Sequence, residues 1–349
     1  MESIGKTNKR RKALVIGPNY YNFLNAVSKA FLELGWECSV IGYDNPIDPY
    51  TTSMKVRYKL GCSSFRERLR NESEKSFNAK VTGVFDADVP DMVFIMNGDI
   101  LHPDTMEHFR SKAKVALWLF DNLSKMPSCR DIIGHCDRLY SFDRRDVAEM
   151  NQSSLEASFL PQACDTGLYY PVPREKDIDI LFVGDLYYYP NRQALLKRVV
   201  EAFPHNKILI IGKYKPWYKN PLKWLLRERR DIYTNGNIPA SAVNAFYNRA
   251  RIVLNIHRDD QKDGANPRVF EICGSGAYQI CDANPYVRSI FPDGEVGLYA
   301  DADELVEKIG EALASDKSEA ASRAHGTTMK EHTYANRIGQ VISDSGFFS

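Results

Sequence analysis

Short apolar runs rich in Val, Ile and Leu alternate with amphipathic stretches, the pattern of buried parallel strands joined by helices. In the first half, residues 13–17, 38–42, 92–96, 115–120, 138–142 and 158–160 are predicted strands, with helices over 20–34 and 143–150. The pattern stops between Pro161 and Lys176, where Pro161, Pro171 and Pro173 stand among polar and small residues as a linker would. A second series follows, with strands at 178–184, 207–212, 232–234, 252–256, 277–281 and 297–299. Its helices are predicted at 192–202, 241–249, 269–275 and 302–315. The mostly polar stretch 317–341 is also predicted helical.

The chain is therefore expected to be an α/β protein of two similarly built halves. Its 349 residues suit two domains, each able to bury its own core. The expected boundaries are a basic, disordered leader over 1–12, carrying Lys6, Lys9, Arg10, Arg11 and Lys12, then Rossmann-like domains over 13–162 and 163–330. A helix over 331–349 is expected to cross back toward the first domain.

Composition narrows the function classes. Lys and Arg number 46 against 45 Asp and Glu, so no global field recruits nucleic acid. Seven widely spread cysteines, with no C-x-x-C pair, point to a reduced, cytoplasmic protein without a zinc or redox site. No run reaches the length of a membrane span. The stretch 213–230 interleaves Trp217, Tyr218 and Trp224 with Lys and Arg. It reads either as a helix with its tryptophans packed inward or as a peripheral contact with the inner face of a membrane, bringing the protein to a lipid-linked acceptor.

In an open parallel sheet, ligands sit beyond the carboxyl ends of the strands, where glycine turns and helix N-termini face phosphate. Gly17, Gly184 and Gly212 end predicted strands, without the spacing of a dinucleotide fingerprint. Departure of a diphosphate needs a metal or fixed cations, and no Asp-x-Asp motif follows a strand. Arg268 and Arg192, each at the start of a predicted helix, and Lys213 after a strand are the candidate cations. Either arginine could instead be a solvated helix residue. His257, just past a strand, reads equally as a ligand contact and as a satisfied structural group. In the first half, Asp99, Asp121 and Asp143 follow strands as candidate bases, although acids there commonly cap the next helix. Asp121, after the most apolar strand, is preferred.

From residue 232 to residue 282 the order is a strand, Gly236-Asn237-Ile238, a helix ending Tyr247-x-x-Ala250, a strand, a polar loop and Asn266-Pro267-Arg268-Val269-Phe270-Glu271. This stretch resembles the donor half of GT-B glycosyltransferases. With the 184–192 segment, His332-Thr333-Tyr334 and Arg337, it is most similar to the spore-maturation (CgeB-like) glycosyltransferases. The resemblance implies a GT-B fold with a cleft between two Rossmann-like domains, and a nucleotide sugar, expected to be a UDP-sugar, held without metal or other cofactor. It further implies that Asn237 and Ile238 meet the base, that Asn266, Arg268 and Val269 belong to the donor motif with Gly184, and that Glu271 meets the ribose hydroxyls. Many retaining members carry a second glutamate eight positions earlier. Here that position is Asp263, a shorter acid. The Trp118-x-x-Asp121 pattern is also shared. The acceptor is expected to be a glycan, a lipid-linked molecule or a small molecule. The competing classes are a nucleotide-sugar epimerase and a non-catalytic GT-B module that binds a nucleotide or glycan.

Overall fold

The computed structural model describes residues 10–19, 22–43, 56–58, 60–186, 188–213, 233–235, 238–261, 263–292 and 294–347. The chain divides into two units, Met1–Leu160 with Tyr334–Ser349, and Pro161–Thr333.

In unit 1, the strands are β1 (Lys12–Pro18), β2 (Glu37–Tyr43), β3 (Met92–Met96), β4 (Lys114–Leu119), β5 (Arg138–Ser141) and β6 (Ala157–Phe159). They form one sheet in the order β2-β1-β3-β4-β5-β6, every pairing parallel. Helices α1 (Phe23–Glu33), α2 (Ser63–Ala87), α3 (Pro103–Arg110) and α4 (Arg144–Gln152) connect them. All five residues of β3 are buried, as a central parallel strand covered on both faces requires. Ile16, Val93, Ile95, Leu117 and Phe109 form the middle of the core.

Unit 2 contains β7 (Ile178–Val183), β8 (Ile208–Gly212), β9 (Tyr233–Asn235), β10 (Ala250–Asn255), β11 (Gln279–Asp282) and β12 (Gly297–Tyr299). Their order is β12-β11-β10-β7-β8-β9, again with parallel pairings. This is the doubly wound order, whose switch point falls between β7 and β10. Helices α5 (Pro190–Ala202), α6 (Ala240–Arg249), α7 (Pro267–Gly274), α8 (Pro285–Ile290), α9 (Ala302–Leu313) and α10 (Ser318–Glu331) complete the unit.

Helix α11 (Tyr334–Asp344) belongs to unit 1. Ile338, Val341 and Ile342 are fully buried, and Arg138 Nε donates to the carbonyl of Asp344 at 2.6 Å. The stretch predicted as one helix is thus two, broken at His332 and Thr333. Thr333 bridges Cys164, and the His332 carbonyl accepts the Cys164 N–H at 2.8 Å. The His332 ring packs 5.1 Å from that of Phe270. These contacts keep residues 331–333 with unit 2, so the return begins at Tyr334. At the other end, Lys12 opens β1 and pairs with Asp88 at 2.7 Å, while Arg11 stacks on Phe347 at 4.5 Å. Neither residue is part of a leader.

Residues 161–176, expected as a linker, pack into unit 2. Cys164 and Tyr169 are buried, and Asn248 Oδ1 accepts the Val172 N–H at 2.6 Å. All seven cysteines are free, and no helix among the described residues is long and apolar enough to cross a membrane.

Candidate functional site

The carboxyl ends of β7 and β8 approach closely. A β carbon on Gly212 would lie 1.8 Å from the Gly184 carbonyl oxygen, so no larger residue fits without moving the backbone. The Gly184 N–H is held by the Ile211 carbonyl at 2.9 Å. This close packing leaves the turn after β7 free to lead directly into α5, where Pro190 occupies the first helical turn and needs no donor partner. Arg192 follows two residues later.

Arg192 is half-buried. Its Nη1 donates to the Asp185 carbonyl at 3.0 Å, and its guanidinium lies 4.4 Å from the centre of the Tyr189 ring. Burial, together with the positive charges of Arg268 and Arg258, pushes this guanidinium down to about 10. Tyr189 and Asp282 act in the opposite direction but do not offset that effect. Arg268 lies in the first turn of α7 and donates through Nε to the Val183 carbonyl, which anchors it at the end of β7. Arg258, three residues beyond β10, pairs with Asp260 at 3.1 Å. Three arginines from three elements thus converge at the switch point of unit 2, beside the N-termini of α5 and α7. Helix dipoles add positive potential there.

Glu271 sits one turn further along α7. Burial raises its carboxyl above the usual carboxylate range, against the attraction of Arg268 and a hydrogen bond from Tyr169. The Tyr169 hydroxyl is itself raised, by burial first and then by the Glu271 charge.

His257 is buried and spends both ring nitrogens inside the protein. The Asn266 N–H donates to Nε2 at 3.1 Å, which leaves Nδ1 as the protonated nitrogen facing Asp282 Oδ1 at 2.9 Å. Asp282 Oδ1 also accepts the His257 backbone N–H at 2.7 Å, and this contact with His257 lowers the Asp282 carboxyl against the effect of burial. The ring is therefore a strut from the end of β11 to the loop before α7. His257, Cys281 and Asp282 also form a grouping among the described residues whose donor atoms, all within 4.8 Å of one another, could hold a metal ion.

Asn266 caps α7. Its Oδ1 accepts the Val269 N–H at 3.3 Å, and its amide pairs reciprocally with that of Asn255 at 2.9 and 3.1 Å. Val269 is fully buried. The two motif residues thus orient α7, while Arg268 and Glu271 are the members left partly open. Asp263 is half-buried in the loop before the cap, and Ile238 is half-buried ahead of α6. Lys213 is exposed after β8, its carbonyl accepting the Leu186 N–H at 3.1 Å. Asn237 and residues 214–230 lie outside the described residues.

In unit 1 three acids, Asp99, Asp121 and Asp143, follow the carboxyl ends of β3, β4 and β5. Asn97 ends β3 in the left-handed region at φ 62°, and its Oδ1 accepts the Phe120 N–H at 2.8 Å, tying β3 to the chain just past β4. Asp99 accepts the Tyr43 hydroxyl at 2.6 Å, and Asp121 is half-buried after β4. Both carboxylates lie near Cys129, whose thiol is pushed up to about 12, mainly by burial. Asp143 is fully buried and caps α4 through the Arg145 N–H at 2.9 Å.

Two members of the unit 2 site escaped sequence reasoning. Arg258 stands in a polar Arg-Asp-Asp run that reads as solvated loop, and its signal was its place directly after a buried strand at the switch point. Tyr169 was concealed by the prolines around it, although a Tyr-Tyr pair in a linker was itself a sign of packing.

Comparison with known proteins agrees with this architecture. A family model described as glycosyl transferase-like matches residues 192–343. The spore protein CgeB of Bacillus subtilis (strain 168) is 26% identical over 216 residues, 56% of this chain and 66% of that protein, just under two thirds of its length. Among solved structures, a sucrose-phosphate synthase from Thermosynechococcus elongatus superposes with a TM-score of 0.66 at 12% identity, covering 97% of this chain and 100% of the other. A UDP-forming α,α-trehalose-phosphate synthase from Burkholderia xenovorans, in complex with glucose 6-phosphate, gives 0.62 at 12% identity over 96% and 99%. HepE from Anabaena, in complex with UDP and glucose, gives 0.59 at 11% identity over 96% and 99%. At these identities the structural likeness carries the fold, and the family match and CgeB are similarities in sequence confined to part of the chain. Over residues 192–343 the chain is similar to the glycosyl transferase-like family, and its two parallel-sheet units share the fold of these solved structures.

Proposed function

We propose that the protein transfers a glycosyl group from a nucleotide sugar, held at the switch point of unit 2, to an acceptor hydroxyl. The observation that carries this reading is the placement of Arg192, Arg258 and Arg268 at the carboxyl ends of β7 and β10, where burial first and then the two neighbouring charges depress the Arg192 guanidinium. Such crowding of like charge in a half-buried site is unfavourable on its own and is relieved by a bound anion. A diphosphate between two helix N-termini supplies that charge, and planar guanidinium forks suit its oxygens.

In this reading Arg192 and Arg268 neutralise the leaving nucleoside diphosphate as the bond from C1 to the phosphate oxygen breaks, a role that elsewhere falls to a metal ion. Glu271, steadied by Tyr169, accepts hydrogen bonds from the ribose diol. Asp263 is assigned to the sugar, and Asn237 with Ile238 to the base. Asp121 receives the acceptor's proton as the new C1–O bond forms. His257 positions the α7 cap. UDP is the expected nucleotide, in line with the nucleotide named for two structural neighbours. The acceptor is a glycan, a lipid-linked molecule or a small molecule, and the protein is placed in the cytoplasm.

The test is thermal unfolding of the purified protein against UDP-, GDP-, dTDP- and ADP-sugars, each with and without EDTA. Selective stabilisation by one of them, insensitive to EDTA, is the expected result. Dependence on a divalent ion would move attention to His257, Cys281 and Asp282. No stabilisation by any donor would leave a silent module.

A further inference from the structure

Unit 2 has a second concavity, at the opposite end of its sheet. A cavity of about 590 Å³ opens where β7, β10 and β11 begin, lined by Lys176, Arg251, Tyr278, Lys317 and His325. Lys176 precedes β7 by two residues, Arg251 is the second residue of β10, and Tyr278 immediately precedes β11. These are the amino ends of the strands, where an open α/β sheet does not place its active site. The volume lies within the range of small-molecule sites.

The lining has two characters. One side is apolar, formed by Pro171, Ala312, Leu313 and Ala321, with the ring of Tyr278, which is 8% exposed. The other is cationic. Among the described residues, Lys176 and Lys317 have no carboxylate partner within ion-pair distance, and the Lys317 ammonium rests 5.7 Å from the Tyr278 ring centre. Arg251 shares its charge with Asp179 at 3.2 Å and fixes the cavity wall by donating to the Leu313 carbonyl at 2.6 Å. Asp316 is the acid in the lining, and both its oxygens are taken by Ser318, the first residue of α10.

His325 turns its Nδ1 to the Gly274 carbonyl at 2.9 Å, at the last residue of α7. The cavity therefore touches the far end of the helix whose first turn carries Arg268.

We propose that this cavity is a second ligand site that takes a small phosphomonoester of sugar-phosphate size. Lys176 and Lys317 meet the phosphate, and the Tyr278 face meets the carbon skeleton. Through His325 and Gly274, its occupant sits against the helix that orients Arg268 and Glu271. The site does not depend on the donor reading, since none of its residues belongs to the arginine cluster.

Calorimetric titration with glucose 6-phosphate and with inorganic phosphate tests this on three proteins: the wild type, Lys176→Ala with Lys317→Ala, and Arg268→Ala. Lys176 is exposed and Lys317 half-buried against Tyr278, and an unchanged thermal midpoint checks that their replacement leaves the fold intact. Saturable binding of glucose 6-phosphate is expected in the wild type and in Arg268→Ala. A loss of about tenfold or more is expected in the double variant, as removal of two charge-assisted contacts requires. Undiminished binding in the double variant, or no binding to the wild type, would overturn the site. Equal affinity for inorganic phosphate would overturn its assignment to an ester. Loss confined to Arg268→Ala would assign the probe to the arginine cluster and likewise overturn it.

Discussion

The two sheets are built alike and carry different side chains at their carboxyl edges. In unit 1 that edge presents Asp99, Asp121 and the buried cap Asp143, with Asn97 and Tyr43 as hydrogen-bond partners. In unit 2 it presents Arg192, Arg258 and Arg268. A parallel sheet provides a binding edge wherever strand order reverses, but its side chains decide what binds there. Carboxylates and amides suit the hydroxyls of an acceptor, and crowded guanidiniums suit a diphosphate.

The comparison breaks most visibly at Asp121. If it accepts the acceptor's proton, Asp121→Asn is expected to lower turnover by roughly 10²- to 10⁴-fold while leaving donor affinity unchanged. A parallel loss of donor binding would mean that the acidic edge is not a separate function.

Arg268→Ala and Arg192→Ala are each expected to weaken nucleotide-sugar binding by roughly 10- to 100-fold, the usual worth of a charge-assisted contact. Titration calorimetry measures it. For Arg192 the pH dependence has a definite sign. Its guanidinium, held down at about 10, is fully charged below that pH and loses its proton as pH rises through it. Diphosphate affinity should therefore fall above about pH 10, while the unliganded fold is relieved of the cost of a buried charge beside Arg268 and Arg258 over the same window. Flat affinity across this range would remove Arg192 from the site.

A smaller effect is expected from Glu271→Gln, about tenfold in affinity for a nucleotide sugar. Because burial raises the Glu271 carboxyl, its ionised form is disfavoured in the fold, and the penalty grows as pH rises through the carboxylate range. The amide should therefore raise the thermal midpoint at pH 7 while weakening binding. A lowered midpoint would show the carboxylate to be structural.

What the sequence made legible follows from physics that acts locally. Buried parallel strands are continuous apolar runs, so all twelve strands stood near their observed places, while Arg268 was marked by its place at a helix start and Glu271 by the resemblance of the 266–271 segment. What escaped detection depends on contacts between distant segments. Helix α2 was not anticipated because its sequence is mostly polar, its buried face being Leu69, Ser73, Phe77, Val81 and Phe85 at four-residue spacing. The break after α10 contains neither Gly nor Pro and is imposed by Cys164, Phe270 and the bridge at Thr333. His257 was ambiguous in sequence because its partners, Asp282 and the Asn266 N–H, are 25 and 9 residues away.

The most direct measurement of the central claim compares UDP with uridine as ligands of the wild type and of Arg192→Ala with Arg268→Ala. If the arginine edge of unit 2 reads a diphosphate, UDP binds the wild type far more tightly than uridine does, and the double variant abolishes that difference. An equal preference for UDP in both proteins would contradict the account.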